Sequence, residues 1–530
     1  MTWMVLVADR VAEGGLHLLR DEADLTVVSA VGNPEALRRE LPRADGLLVR
    51  SDTQVTAELI ALGARLRVIG RAGIGVDNID VAAATARGIA VLNAPGANTV
   101  SAAEHTWALL LALVRRIPWA AASMRTGAWD RKTFAGTELR GKVLGIVGLG
   151  RIGQHVAAIG RGIGMKLIAH DPYLTEKRAQ DLGVALFPLD DLLARADVVT
   201  LHLPLTDDTR HLLGADRLAR MQPHALLVNT ARGELVDEAA LVDALGAGRL
   251  AGAAIDVYAQ EPLPADSPLR NDERLLLTPH LAASTVEAQE RVSREICAAV
   301  RDALRTGDVG GAVNVAGVSA AAIRRLRPVL ELARRVGRLG ATLAHGRVQA
   351  IEVQYGGPDE EAPRPAKLAA VEGALGAMGV GPVSMVNAQP LAEQRGITLA
   401  RRGGAPLAGF ETTVSVILQT ADRRTSVVGA MVGERGRIVE IDGYPVDVPA
   451  EGHLIVLCNR DVPGVIGRVG TALGDAGANI GVYHQSRRPD SDVALAAIAI
   501  DQSPARDLLE RLATLPDVTE VRFVDLDNGR

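Results

Sequence analysis

Apolar runs alternate with helix-forming segments along the first hundred positions. The predicted strands lie at 5–8, 26–28, 46–49, 66–70 and 89–92. The predicted helices lie between them at 14–22, 34–41, 56–62 and 81–87. Strands that alternate with helices indicate βαβ units and a parallel sheet. The first part of the chain is therefore predicted to form an α/β unit.

A long helical pattern follows from Asn98 to Thr126. Its apolar residues at 109–114 surround the helix almost completely, which predicts burial. A second α/β alternation begins at Lys142, with predicted strands at 143–147, 166–170, 198–203, 225–229 and 253–256. A further long helix is predicted over 285–306.

The pattern changes near Gly310. Residues 310–320 are rich in Gly, Ala and Val, which predicts a linker. Residues 320–450 predict a third αβ unit with scattered glycines. Residues 453–530 follow the order strand, helix, strand, strand, helix, strand, which is the ferredoxin-like βαββαβ arrangement.

Composition narrows the functional classes. The chain has 530 residues and a net charge of −5, which disfavours a general nucleic-acid or membrane-surface binder. Aromatic residues make up only 2%, too few for the stacking platforms that bind single-stranded nucleic acid. The start of the chain lacks a signal-peptide pattern, and the longest apolar stretch, 107–114, is too short for a membrane span. Its two cysteines, Cys297 and Cys458, show no metal-binding spacing. We expect a cytoplasmic protein without a metal site.

The strongest local motif is Gly148-x-Gly150-x-x-Gly153, which follows an apolar strand and opens a helix. Gly148 permits a tight turn, Gly150 lets the backbone approach a pyrophosphate at the helix N-terminus, and Gly153 lets the helix pack on the strand. Asp171 ends the next strand, where its carboxylate would bind a ribose diol and repel a 2′-phosphate. The motif therefore predicts NAD as cofactor.

Three residues after this motif match the chemistry of 2-hydroxy acid oxidation. Arg232 follows a strand and could bind a carboxylate through two parallel hydrogen bonds. His280 could accept the hydroxyl proton, and Glu261 could stabilise the charged imidazole. Each residue alone is more commonly structural, but the three together form a consistent set.

At this point the sequence resembles the D-isomer-specific 2-hydroxyacid dehydrogenases along nearly its whole length. It is similar to the long members that carry an intervening domain and a C-terminal ACT domain. The matching stretches are Val49–Ser51, Gly70–Asp80, Asn98–Glu104, Gly136–Leu139, Gly148–Gly153, His202–Thr206, Asn229–Gly233, Asp256–Pro262 and Pro279–His280.

The resemblance implies an α/β protein with two doubly wound Rossmann-like domains, an intervening αβ domain and a ferredoxin-like ACT domain. The implied substrate-binding domain is discontinuous, at 1–98 and 283–312, and encloses an NAD-binding domain at 99–282. The intervening domain is expected at 318–451 and the ACT domain at 452–530.

The resemblance also implies site residues. Arg232, Glu261 and His280 are expected to be catalytic. The expected NAD contacts are Gly148, Gly150, Arg151, Ile152, Gly153, Asp171, Thr230, Ala231, Asp256 and Ile74. The expected substrate contacts are Arg50, Ser51, Gly73, Ile74, Gly75, Asn98, Arg131 and Lys132, the last two reaching a neighbouring subunit.

In the family, paired ACT domains hold an amino acid between them. The resemblance implies that Asn459, Asp461 and Asn479 bind L-serine as an effector. The alternative is that the two residues are structural, with Asp461 as a helix cap and Asn479 as a turn residue. The family also suggests a homotetramer.

The expected reaction is the NAD-dependent oxidation of 3-phospho-D-glycerate to 3-phosphonooxypyruvate, the first step of phosphorylated L-serine biosynthesis. One alternative is another D-2-hydroxyacid dehydrogenase, such as a glycerate/hydroxypyruvate or 2-oxoglutarate reductase. Another, from a different class, is a dinucleotide-sensing, corepressor-like binding protein. The Arg, Glu and His set argues against this second alternative.

Overall fold

The computed structural model describes residues 2–315, 318–489 and 491–527. The first unit alternates strands and helices as the sequence predicts. Its elements are β1 Trp3–Val7, α1 Glu13–Arg20, β2 Leu25–Ser29, α2 Pro34–Glu40, β3 Gly46–Val49, α3 Ala57–Leu62, β4 Val68–Arg71, α4 Val81–Ala86 and β5 Ala90–Leu92. The five strands are parallel and lie in the order β2-β1-β3-β4-β5.

The second unit contains a larger parallel sheet. Its elements are α5 Thr99–Val114, α6 Ile117–Arg125, β6 Val143–Val147, α7 Arg151–Ile163, β7 Lys166–His170, α8 Glu176–Asp181, β8 Ala185–Leu186, α9 Leu189–Arg195, β9 Val198–Leu201, α10 Ala215–Leu218, β10 Leu226–Asn229, α11 Glu238–Gly246, β11 Gly252–Ile255 and β12 Leu275–Leu277. The strand order is β12-β11-β10-β9-β6-β7-β8. The two doubly wound α/β sheets confirm the predicted fold class.

The prediction of one helix from Asn98 to Thr126 was wrong. The chain forms α5 and α6 instead, which meet at a bend of 62°. Pro118 lacks an N–H, and its ring would clash with the carbonyl of Val114 in a continuous helix. The Val114 carbonyl accepts a hydrogen bond from Thr137 N at 3.0 Å instead, and Arg116 takes a left-handed backbone at φ 51°.

A long helix, α12 (Val286–Thr306), then returns to the first sheet. Thr285 caps it by accepting a hydrogen bond from Ala288 N, in agreement with the predicted start. Ile296 and Val300 reach Gly70 in β4, where an added Cβ would lie within 2.6 Å of Val300. The exact domain boundaries at 98/99 and 282/283 stay a prediction.

The third unit consists of α13 Ala320–Leu343, β13 Ala350–Gly356, α14 Pro363–Ala377, α15 Ala388–Gln394, β14 Thr398–Gly404, β15 Thr413–Gln419, β16 Arg424–Val432, β17 Arg435–Ile441 and β18 Tyr444–Pro449. Its sheet has the order β14-β13-β15-β16-β17-β18 and is antiparallel except for the β13–β14 pair. Helices α13 and α14 cross so closely that an added Cβ on Gly373 would meet the Arg334 carbonyl.

The predicted linker is packed against the first unit over its described part. Val313 N donates to Val91 O at 2.8 Å, and Asn314 both accepts from Val91 N and donates to Ile89 O. This segment therefore covers the free edge of β5. Residues 316 and 317 of the predicted linker lie outside the described residues.

The fourth unit is the predicted βαββαβ arrangement. It consists of β19 His453–Arg460, α16 Val465–Asp475, β20 Ile480–Arg487, β21 Val493–Ile500, α17 Arg506–Ala513 and β22 Val518–Asp525. The sheet is antiparallel in the order β20-β21-β19-β22.

Within the described residues, no single helix has the length and apolar character needed to cross a membrane. The bent pair α5 and α6 meets that criterion together, by length and composition alone. Ten of the sixteen residues of α5 are buried inside the protein.

Candidate active site

The glycine-rich turn joins β6 to α7 as the motif predicts. Gly148 has a φ of 92°, and an added Cβ would lie 2.5 Å from the His202 carbonyl oxygen. An added Cβ on Gly153 would lie 2.2 Å from the Gly148 carbonyl oxygen. Gly150, in contrast, faces open space. The turn is closed on its protein side and open at the helix N-terminus, which fits a bound pyrophosphate.

Asp171 lies over this turn at the end of β7. Its Oδ2 accepts a hydrogen bond from Leu149 N at 2.9 Å, and its Oδ1 accepts one from Tyr173 N at 3.0 Å. The Asp171 carboxylate is thereby fixed beside the turn, as the selection of a ribose diol requires.

Arg151 and Ile152 form the first turn of α7. Arg151 is exposed and lines a cavity of about 430 Å³ together with Gly96 and with Thr99 at the start of α5. Ile152 packs its side chain against the core under the helix.

The predicted catalytic residues follow three neighbouring strands. Arg232 comes after β10, Glu261 after β11 and His280 after β12. Since the carboxyl ends of parallel strands meet at one edge, the three loops are neighbours. Gly233 shows how close they are, because an added Cβ would lie 1.9 Å from the Tyr258 carbonyl carbon.

Glu261 and His280 form a hydrogen-bonded pair in which His280 Nδ1 lies 2.7 Å from Glu261 Oε2. Glu261 Oε1 accepts a second hydrogen bond from Tyr258 N at 3.0 Å. Burial opposes ionisation, but the hydrogen bonds from His280 and Tyr258 hold the pKa of Glu261 below its ordinary value. The pair leaves His280 Nε2 as the ring nitrogen available to a substrate.

Asp256 fixes the loop that carries His280. Its carboxylate is fully buried and accepts hydrogen bonds from Thr278 Oγ1 at 2.6 Å, Leu281 N at 2.8 Å and Ala282 N at 2.9 Å. His105 Nε2 from α5 lies 3.2 Å from the same carboxylate. Burial would raise the pKa of Asp256, but these hydrogen bonds hold it below its ordinary value.

His280 itself has a left-handed backbone with φ 55°, which is costly for a residue with a Cβ. Its N–H donates to the Asp256 carbonyl at 2.8 Å. The Asp256 network therefore holds a backbone conformation that the loop would otherwise avoid.

Arg232 connects the two sides of the cleft. Its Nε donates to Asp77 Oδ2 at 2.8 Å, and an added Cβ on Gly75 would lie 1.9 Å from its Nη2. Beside it, Ala231 N donates to Asn229 Oδ1, and Thr230 Oγ1 bonds Thr106 Oγ1 at 2.8 Å. The structure thus brings Arg232 and the predicted substrate segment at Gly73–Gly75 together.

Arg50 and Arg71 end the adjacent strands β3 and β4 of the first sheet. Burial, with the charges of Arg232 and Arg50 and against the opposing charge of Asp77, lowers the pKa of Arg71 to about 10. Arg71 Nη1 borders Gly73 and Arg232 Nη2 borders Gly75, so these two guanidinium groups lie against the same short segment. Arg71 Nε is buried without a hydrogen-bond partner among the described residues.

The other predicted substrate residues differ in placement. Asn98 is buried at the start of α5, and its Oδ1 has no partner within the described part of the chain. Ser51 is exposed and donates to Asp52. Ile74 is partly buried in the same segment as Gly73.

Arg131 and Lys132 are exposed in the loop after α6. The hydrogen bonds of this loop are local, with Lys132 N and Thr133 N donating to Asp130. Their predicted role at a neighbouring subunit stays a prediction.

The three predicted effector residues do not converge within one chain. Asp461 follows β19 and pairs with Arg487 at 3.0 Å, whereas Asn479 precedes β20 and donates to Asp501 at 2.6 Å. Since β19 and β20 are both antiparallel to β21, Asp461 and Asn479 lie at opposite ends of the sheet. Asn459 is fully buried, with Oδ1 unpartnered in the described structure.

Sequence reasoning did not assign site roles to Arg71, Asp77, His105 and Thr278. Arg71 and Asp77 lay inside a matching motif, but only the meeting of the two sheets shows that they contact the site. His105 and Thr278 carry no local signal, because their role depends on a carboxylate distant in sequence. In the described residues, no group of three or more His, Cys, Asp or Glu side chains could hold a metal ion.

Family models match three segments of the chain. Residues 107–282 match the D-isomer specific 2-hydroxyacid dehydrogenase NAD binding domain. Residues 325–442 match the D-3-phosphoglycerate dehydrogenase intervening domain, and residues 453–517 match the ACT domain.

Curated relatives match almost the entire length. The D-3-phosphoglycerate dehydrogenase of Mycobacterium tuberculosis is 40% identical, covering 99% of both chains. The D-3-phosphoglycerate dehydrogenase of Synechocystis is 38% identical, covering 98% of this chain and 94% of the relative.

Solved structures match the first part of the chain. The TT0316 protein from Thermus thermophilus has a TM-score of 0.52 at 38% identity and covers 57% of this chain and 96% of its own. The D-lactate dehydrogenase from Aquifex aeolicus, solved with NAD and lactic acid, has a TM-score of 0.52 at 29% identity, with coverage of 57% and 96%.

The two sheets, the glycine turn and the Arg-Glu-His set define an NAD-binding enzyme of the D-isomer-specific 2-hydroxyacid dehydrogenases. Within that class, the chain belongs to the D-3-phosphoglycerate dehydrogenase family, in the form with an intervening and an ACT domain.

The Asp256 network generates a prediction about the loop at 278–284. Asp256→Asn leaves at least one buried N–H facing an amide NH₂, which costs about 3 kcal/mol. Amide hydrogen exchange of this loop at neutral pH should therefore accelerate about 100-fold. Exposed Asp207→Asn is the matched control and should change nothing.

The same experiment has a defined pH dependence. Because folding lowers the pKa of Asp256, its stabilisation is present above the unfolded pKa and is lost as pH falls through the folded pKa. The ratio of the loop's exchange rates in the Asp256→Asn variant and the wild type should be constant above about pH 5 and shrink below about pH 4. Equal exchange in both proteins at neutral pH would contradict the assigned role.

Proposed function

We propose that the protein oxidises the C2 hydroxyl of 3-phospho-D-glycerate with NAD, giving 3-phosphonooxypyruvate for L-serine biosynthesis. The observation that carries the proposal is the placement of Arg50, Arg71 and Arg232 at the carboxyl ends of strands from both sheets, with Arg71 and Arg232 against the segment Gly73–Gly75. A substrate with a carboxylate and a phosphate needs several cations at this position, since the phosphate carries nearly two negative charges.

The residues divide the chemistry among them. Arg232 binds the substrate carboxylate in place of Asp77, with two parallel hydrogen bonds from its guanidinium. Arg50 and Arg71 bind the phosphate, and Arg131 and Lys132 of a second chain add to this charge. The unpartnered Oδ1 of Asn98 accepts a hydrogen bond at the same cleft.

His280 accepts the proton of the C2 hydroxyl at Nε2. Glu261 holds Nδ1 at 2.7 Å and stabilises the imidazolium that forms. NAD, when bound, would accept the C2 hydrogen together with its two bonding electrons, as a hydride. The turn at Gly148, Gly150 and Gly153 would hold its pyrophosphate and Asp171 its ribose, with Ile74, Thr230 and Ala231 along the remaining cleft. Asp256 is fully buried, so it would act indirectly, by holding the loop that carries His280.

The remaining expectations form part of the proposal. We assign residues 1–98 and 283–312 to substrate binding, 99–282 to NAD binding, and 318–451 and 452–530 to regulation. We expect a homotetramer, as the family resemblance suggests, in which the exposed Arg131 and Lys132 reach a neighbouring chain. We place the protein in the cytoplasm, which agrees with the two free cysteines.

The catalytic assignment predicts the effect of His280→Ala. Loss of the base should lower kcat at least about 100-fold, while NADH binding measured by fluorescence stays unchanged. His17→Ala, at an exposed position of α1, is the matched control. Unchanged turnover by the His280 variant would refute the assignment.

The substrate assignment predicts that the phosphate matters. A coupled NADH assay should show strong preference for 3-phospho-D-glycerate over D-glycerate and D-2-hydroxyglutarate. Arg50→Gln should raise KM for the phosphorylated substrate about 10–100-fold, since it removes charged hydrogen bonds. Exposed Arg38→Gln should not. Equal use of D-glycerate by the wild type would favour the glycerate reductase alternative.

We further propose that L-serine binds between two ACT domains. One domain contributes the end of its sheet that carries Asp461, and the other contributes the opposite end, which carries Asn479. This arrangement would unite Asp461 and Asn459 of one chain with Asn479 of another. Serine should then change the rate or the oligomeric state, and Asp461→Ala should remove that response while Asp507→Ala retains it. If serine affects neither quantity, the effector assignment fails.

A further inference from the structure

A large cavity lies between the first unit and the intervening domain, with a volume of about 1050 Å³. Its walls are the amino ends of β3 and β4, the end of α12, one face of α13 and the loop at 382–386. The last described residues, Leu526 and Asp527, also line it. The cavity is thus enclosed by three of the four units.

The cavity wall is strongly basic. Eight arginines line it, against four carboxylates. Five of the arginines are held in ion pairs with carboxylates of the protein: Arg65, Arg305, Arg327, Arg334 and Arg335. These pairs fix the walls but leave an excess of positive charge.

The other three arginines have no carboxylate within ion-pair distance in the described structure. Arg67 lies 4.9 Å from the ring centre of Trp3, and Arg87 donates to the Gly63 carbonyl at 3.0 Å. Arg338 forms no side-chain hydrogen bond there, and burial together with the charge of Arg334 lowers its pKa, against the opposing charge of Asp525. Cations gathered in this way favour an anionic ligand, which would relieve their repulsion.

This cavity is separate from the sites described above. Arg67 and Asp45 lie at the amino ends of β4 and β3, whereas Arg71 and Arg50 lie at their carboxyl ends. The three predicted effector residues of the ACT domain do not line it. A ligand here would lie at the amino ends of the two strands whose carboxyl ends carry Arg50 and Arg71.

We propose that this cavity binds a small polyanion that carries two or more linked phosphate groups. Several guanidinium groups on different elements match a ligand with several charged oxygens, because each guanidinium binds phosphate oxygens through parallel hydrogen bonds. Apolar residues such as Leu66, Val309 and Met385 form the rest of the wall. The ligand is inorganic tripolyphosphate or a nucleoside triphosphate, which share this chemistry.

The test is calorimetric titration of the full-length protein at saturating NAD, which keeps nucleotides out of the dinucleotide site. Tripolyphosphate and uridine triphosphate are the two probes. We expect saturable binding of one tripolyphosphate per chain. Comparable affinity for both probes would identify the phosphate chain as the recognised group, and tighter binding of uridine triphosphate would identify a nucleotide.

Variants locate the binding. The double variant Arg67→Gln/Arg338→Gln should weaken it at least about 100-fold, since two charged contacts are lost. Arg402→Gln/Arg506→Gln removes the same charge from exposed positions and should leave the affinity unchanged. Arg50→Gln should also leave it unchanged, because that residue belongs to the substrate site.

Val383→Glu provides a second variant, which keeps every arginine of the cavity wall. It adds a carboxylate to the wall and should weaken binding by a similar factor. The proposal is overturned if neither probe saturates, if both cavity variants bind like the wild type, or if only Arg50→Gln weakens binding.

Discussion

The buried carboxylate of Asp256 is the constraint on which the active-site arrangement depends. A charge in the protein interior is tolerated only when hydrogen bonds replace its lost water. Here the donors come from the loop after β12 and from α5, so satisfying the charge ties together elements far apart in sequence. His280 adopts its left-handed backbone as part of the same arrangement. The position of the base His280, which follows β12, therefore depends on Asp256, which follows the neighbouring strand β11.

The second constraint is electrostatic. The chain has a net charge of −5, yet Arg50, Arg71 and Arg232 gather where an anionic substrate is expected. Strand ends make this possible, because two parallel sheets whose carboxyl edges face each other place residues from both at one cleft. Asp77 partly compensates the concentrated charge by pairing with Arg232.

Site residues that belong to one local motif could be predicted from the sequence. The meeting of residues from distant segments could not. The glycine turn and Asp171 depend on one strand, one turn and one helix, so their spacing carries the prediction. Glu261 and His280 were identified from their chemistry and order, and the structure pairs them. Arg71 could not be assigned in this way, since its neighbours Arg50 and Arg232 come from elements separated by many residues.

The structure differs from two sequence predictions, the single helix from Asn98 to Thr126 and the linker at 310–320, for different physical reasons. Pro118 ends a helix whose apolar pattern continues past it, so backbone hydrogen bonding overrides side-chain periodicity. The Gly- and Ala-rich segment near 310 has the composition of a linker, but Asn314 binds it to the first unit through hydrogen bonds with Thr85, Ile89 and Val91. The composition of a segment indicates its flexibility in isolation. It does not show whether the segment will pack against the edge strand of a neighbouring sheet.

That docked segment has a thermodynamic consequence. One continuous apolar core runs from β1 through α12 and Val315 into α13 and the intervening sheet. Units that share a core cannot unfold independently without exposing it to water. The first unit, the intervening domain and one face of the ACT sheet therefore form one cooperative folding unit, despite having separate sheets.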